Sequence, residues 1–116
     1  MTETENKTLV LISNDKMGHG DDELGSKLMV NFLKNITELG TDLWRLIFLN
    51  NGVKLTTDGA IALPVLQQLE AEGLHILVCT TCLQHFNLMD QKSVGSATNM
   101  PDIVNAMQFA DKVITL

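Results

Sequence analysis

Cys79-Thr80-Thr81-Cys82 holds the only two cysteines of the chain and follows directly on the apolar run Leu74-His75-Ile76-Leu77-Val78. A run of that length opened by Gly73 reads as a buried strand, so the first thiol stands at its carboxyl end. Thr80 and Thr81 then begin a turn, and residues 83–86 start a short helix. Ligands and chemistry gather at that edge of open α/β sheets. Backbone N–H groups and the positive end of a helix favour thiolate there, and cysteine pKa values of about 3.5 to 7.5 occur in such settings. With a second thiol three positions on, an oxidised or sulfur-loaded Cys79 has Cys82 as its resolving partner. The structural alternative is a pair of small core residues, since free cysteine is often buried.

Cys79-x-x-Cys82-x-x-His85, with His75 and His19 elsewhere, also raises a metal site. Structural zinc needs four ligands in a closed tetrahedron, and the sequence has neither a second CxxC nor a spaced His pair. Haem attachment needs His directly after the second Cys. Neither metal nor cofactor is expected. Met17-Gly18-His19-Gly20-Asp21-Asp22 places glycines between a strand and a helix, a setting that can hold phosphate. It lacks G-x-G-x-x-G and the Walker Gly-Lys pair, and its aspartates would repel phosphate, so nucleotide binding is set aside. The candidates for holding an anion or stabilising a thiolate are His19, Asn51, Lys54, Thr80 and Thr81. For His19 and Lys54 the competing reading is a solvated loop side chain. Met29 and Met107 read as ordinary core.

The elements that must position these residues alternate strand and helix. Residues 8–13 (Thr-Leu-Val-Leu-Ile-Ser) form a first strand feeding the glycine loop. Asp21, Asp22 and Glu23 complement the positive end of a helix on which Leu24, Leu28, Phe32, Leu33, Ile36 and Leu39 recur, and which Gly40 stops. Residues 43–50 are a second strand, apolar nearly throughout because both faces are covered. Residues 51–59 read as a polar loop of functional length. A helix follows over about 60–72, with Pro64 in its first turn. After the cysteines, residues 94–98 form a short strand, Asn99 caps a helix with Ile103, Val104 and Met107 on its apolar face, and residues 112–116 are the last strand. This alternation predicts an α/β fold: a three-layer sandwich with a mainly parallel sheet of about five strands. The loops after the first three strands then share one edge, where residues 17–22, 50–57 and 79–82 converge.

The 116 residues fit a single domain over 8–116 preceded by a polar, frayed tail over 1–7. At 45% hydrophobic and 19% charged, the composition indicates neither disorder nor a membrane span. The first residues lack the apolar segment of a signal peptide, and a CxxC without one points to a reducing cytoplasm. A formal net charge of −6 with scattered basic residues argues against nucleic acid as a partner.

Several stretches together resemble the DsrE-like sulfur-relay superfamily, and most closely the DsrE-like domain of YedF-type proteins associated with selenium metabolism. They are Gly-His-Gly-Asp-Asp-Glu-Leu-Gly at 18–25, Asn-Gly-Val-Lys-Leu-Thr-Thr at 51–57, Cys-Thr-Thr-Cys-Leu at 79–83, Thr-Asn-Met at 98–100 and Ala-Asp-Lys-Val-Ile-Thr at 110–115. The resemblance implies homo-oligomers, often trimers or larger, with active cysteines near subunit contacts. It implies a persulfide on the cysteine ending the third strand, which matches Cys79, while Cys82 matches a second cysteine of YedF-type proteins. YedF-type proteins usually carry an additional TusA-like domain that is not in this sequence, so the expected donor is a separate TusA-like partner.

The leading expectation is a sulfurtransferase-like carrier of sulfane sulfur, or of selenium in its place. Two rivals stand beside it: a thiol-disulfide oxidoreductase using the CxxC pair, and a non-catalytic oligomeric module binding a small ligand or partner.

Overall fold

The structure is a computed structural model and describes residues 6–116. Five strands, β1 (Thr8–Ile12), β2 (Leu43–Phe48), β3 (His75–Cys79), β4 (Ser96–Thr98) and β5 (Lys112–Thr115), form one sheet in the order β4-β3-β2-β1-β5. Every pairing is parallel. All five residues of β1 are buried, which is why its sequence shows no polar alternation.

Four α-helices make the crossovers: α1 (Asp22–Asn35), α2 (Leu63–Ala71), α3 (Thr80–His85) and α4 (Met100–Phe109). The Asp21 carboxylate accepts the Leu24 N–H at 2.8 Å, and Asp22 and Glu23 follow in the first turn of α1. Gly25 lets the preceding loop fold back on the helix. The Met17 N–H reaches the Gly25 carbonyl at 2.9 Å, and a Cβ at Gly25 would press within 3.0 Å of the Lys16 Cβ. Asn99 caps α4 by accepting the Asp102 N–H at 2.9 Å.

Running β1→β2→β3→β4 in one direction, with right-handed crossovers, puts α1, α2 and α3 on one face of the sheet. The return to β5, on the far side of β1, puts α4 on the other. A cavity beneath α4 bears this out, lined by Arg45, His75 and Leu77 of the sheet and by Asp102 and Ala106 of the helix. The expected three-layer α/β sandwich is therefore present, with its sheet wholly parallel. Among the described residues no helix is long and apolar enough to cross a membrane.

Several boundaries differ from expectation. Helix α1 ends at Asn35 and continues as 3-10 turns over Ile36–Asp42, broken at Gly40 with φ 61°. The polar loop expected over 51–59 is mostly a compact 3-10 segment, Asn50–Thr56, burying Gly52, Val53, Leu55 and Thr56. Thr56 and Thr57 close it by donating their hydroxyls to the Val53 and Lys54 carbonyls at 2.7 and 2.8 Å. Helix α3 begins at Thr80, so both threonines expected in a turn are helical.

Met107 is exposed rather than core, and so are Leu24, Leu28 and Val104, because α4 reaches the sheet mainly through Ile103 and Ala106 and α1 buries Met29 and Leu33. Residues 1–5 of the expected tail lie outside the described residues. Lys7 is held: its N–H bonds the Asp111 carboxylate at 2.8 Å, and its carbonyl accepts the Asp111 N–H at 2.8 Å.

Candidate functional site

Strand β3 ends on Cys79, which is 3% exposed and occupies the cap position of α3. One helical turn on, Cys82 is half-buried and packs against the core from outside. Both thiols are free.

Cys79 stands in register with Thr98 of β4, itself buried. The chain leaves β3 toward the face of α1 and α2, and leaves β4 toward α4. Where neighbouring exits diverge in this way, the carboxyl edge of a parallel sheet is the place at which ligands commonly bind. Cys79 and Thr98 are paired at that point.

The second wall comes from the segment after β2. Leu49 N–H bonds the Ile12 carbonyl at 2.9 Å, and Gly52 N–H bonds the Leu49 carbonyl at 2.8 Å. Together these draw the 3-10 segment across the end of β1. Only glycine fits at position 52, because a Cβ there would collide with the Ile12 carbonyl oxygen. The approach turns Asn50 into the left-handed region, φ 50°, a conformation Asn tolerates better than most residues. In it the Asn50 N–H donates to Cys82 Sγ at 3.1 Å.

Burial pushes the Cys82 thiol up, and the neighbouring Cys79 thiol adds to the rise as a hydrogen-bond partner. The Asn50 N–H pulls the other way without overcoming them. The shielding that encloses the sulfur disfavours its charged form.

Two of the three expected loops converge on the thiols. The segment Asn50–Thr56 reaches α3 through Asn50, and again through Lys54, whose Nζ lies 4.6 Å from the Phe86 ring centroid at the end of α3. Asn51 is half-buried in the same segment. Thr80 is half-buried and Thr81 exposed on the first turn of α3. The glycine loop instead turns back on α1. His19 is exposed there, and among the described residues no hydrogen bond joins it to either cysteine.

The sequence reading missed Asn50, whose backbone rather than side chain makes the contact, and Phe86, the aromatic side chain four positions after Cys82. Among the described residues, no group of three or more His, Cys, Asp and Glu side chains could hold a metal ion.

The sequence model of the DsrE/DsrF-like family matches residues 7–116. The chain belongs to the DsrE/DsrF-like family. Its fold is similar to that of the YchN protein from E. coli, with a TM-score of 0.70 over 95% of this chain and 99% of that one, at 17% identity. It is similar also to MTH1491 from Methanobacterium thermoautotrophicum, with a TM-score of 0.70, 14% identity and coverage of 97% and 100%. BT1422 from Bacteroides thetaiotaomicron aligns with a TM-score of 0.66, 12% identity and coverage of 95% of each chain. At these identities the likeness is one of fold. No curated protein matches the sequence.

Proposed function

We propose that this DsrE/DsrF-like chain carries sulfane sulfur on Cys79 and hands it on within a sulfur relay. The observation behind this reading is the placement of the two thiols. One is enclosed at the carboxyl end of β3 and the other is reachable one turn later, both at the sheet's switch point.

In the loading step the Cys79 thiolate attacks the outer sulfur of a donor persulfide. The donor's S–S bond breaks, its thiolate leaves, and Cys79 becomes a persulfide with no net oxidation. An acceptor thiolate can take that outer sulfur and restore the Cys79 thiol. Alternatively, the Cys82 thiolate attacks the inner sulfur, releasing hydrosulfide and leaving a Cys79–Cys82 disulfide that an external dithiol must reduce.

A general thiol-disulfide oxidoreductase would use the same two thiols, and the family membership favours the relay over it. On this reading the protein works in a reducing cytoplasm beside a separate TusA-like carrier. The sequence resemblance to YedF-type proteins adds selenium as an alternative cargo to sulfur. It also self-associates, and the face offered is the exposed stripe Met100, Val104 and Met107, spaced i, i+4, i+7 on α4.

The test is intact-protein mass spectrometry after incubation with a persulfide donor. A gain of one sulfur atom on wild type, absent in Cys79→Ser, supports the carrier role. No gain on either cysteine sinks it.

A further inference from the structure

A cavity away from the cysteines lies against α1. It has a volume of about 750 Å³ and runs along α1, facing Leu55 and the segment that leads into α2. We propose that it is a binding site for a small organic anion with an apolar body, such as a medium-chain carboxylate. This goes beyond the sulfur-carrier reading and does not depend on it.

Size decides first between a small ligand and a protein partner. Small-molecule sites span about 300–1,000 Å³, so the cavity lies well inside that range. Its α1 wall extends from Glu23 to Lys34, about 16 Å of helix, which suits an extended body.

The lining combines apolar and charged side chains. Val30, Leu55 and Ile61 supply apolar surface, and Ile61 is 81% exposed. An apolar side chain left so open at a concave site gains by being covered.

Charge selects the head group. Of the two carboxylates at the site, Asp15 is paired with Lys16 at 3.2 Å and Glu23 with Lys27 at 3.7 Å. Among the described residues, Lys34 and Lys54 line the same cavity with no carboxylate within ion-pair distance. Two ammonium groups without a carboxylate partner, one of them resting over the Phe86 ring, stand beside apolar walls and favour an anion with a hydrophobic tail over a cation or a neutral polar solute. Lys54 belongs to both sites, since its Nζ also lies over Phe86. The cavity and the thiol-bearing helix α3 therefore share one side chain.

The experiment is isothermal titration of the full chain with decanoate, and with decylammonium and 1-decanol as probes of the same length. It is run on wild type and on Cys79→Ser/Cys82→Ser, so that failure of the sulfur chemistry leaves the result unaffected. Saturable decanoate binding, weakened about fivefold in Lys34→Met and in Lys54→Met, is the expected result. Ser26→Trp and Asn31→Trp place bulk into the cavity from the solvent side of α1 and should abolish binding while circular dichroism stays unchanged. No saturable decanoate binding, equal binding of decylammonium, or binding that survives both tryptophan variants would overturn the proposal.

Discussion

The backbone N–H of Asn50 donates to Cys82 Sγ at 3.1 Å across 32 positions of chain. It joins the end of β2 to the first turn of α3 by a contact that requires a left-handed residue at position 50. The side chain of Asn50 is not what the thiol uses, so the position should tolerate changes that keep the backbone shape.

Asn50→Gly is accordingly expected to retain the Cys82 environment, whereas Asn50→Val should cost about 1–2 kcal/mol for a β-branched residue held at positive φ. Urea denaturation read by fluorescence of Trp44 separates the two. Equal stability of both variants would contradict the role assigned to the backbone here.

Gly52→Ala tests the closest packing in the site. The added methyl meets the Ile12 carbonyl, which is backbone and cannot rotate away, so a loss of about 1–3 kcal/mol is expected. Gly59→Ala is the contrasting case, a positive φ of 84° with nothing within 4 Å of a Cβ, whereas the cost at Gly52 is one of contact.

Cys79→Ala should lower the Cys82 pKa. Two of the causes that raise it, hydrogen bonding and charge repulsion from Cys79, disappear, and the Asn50 N–H remains to favour thiolate. Iodoacetamide labelling of Cys82 should then reach half its maximal rate at a lower pH in Cys79→Ala than in wild type. A shift to higher pH would show that the two sulfurs do not interact as described.

Val104→Asp and Met107→Asp place charge in the exposed stripe of α4 without touching the core side chains Ile103 and Ala106. Sedimentation velocity should find smaller species for both variants than for wild type, with unchanged circular dichroism. Identical sedimentation for all three would remove this stripe as the self-association face.

Much of the fold was legible because its strands are apolar runs of near-uniform burial and its helices carry explicit caps. Asp21 and Asn99 both cap as their positions foretold. The segment after β2 was not legible. Asn-Gly-Val-Lys-Leu-Thr-Thr is polar enough to pass for a loop, yet Val53 and Leu55 are drawn inward by tertiary packing that no local pattern encodes. The same limit hid Asn50 as a thiol neighbour, since a contact made by backbone leaves no mark in residue type. Val104 and Met107 failed for a different reason. An apolar stripe on a helix predicts that something covers it, and a single chain does not say whether that cover is its own sheet or another molecule.

The position of β5 beyond β1 has a consequence for how the molecule assembles. The first strand made is flanked on one side by β2 and on the other by the last, with Leu9 paired to Val113 and Ser13 N–H bonded to the Leu116 carbonyl at 3.0 Å. Pairings of such long sequence separation close late and slowly. The thiol edge, built from β2, β3 and their loops, can therefore take shape while one flank of β1 still lacks its neighbour. Pulsed hydrogen exchange during refolding should protect Leu77 and Val78 before Val113 and Ile114.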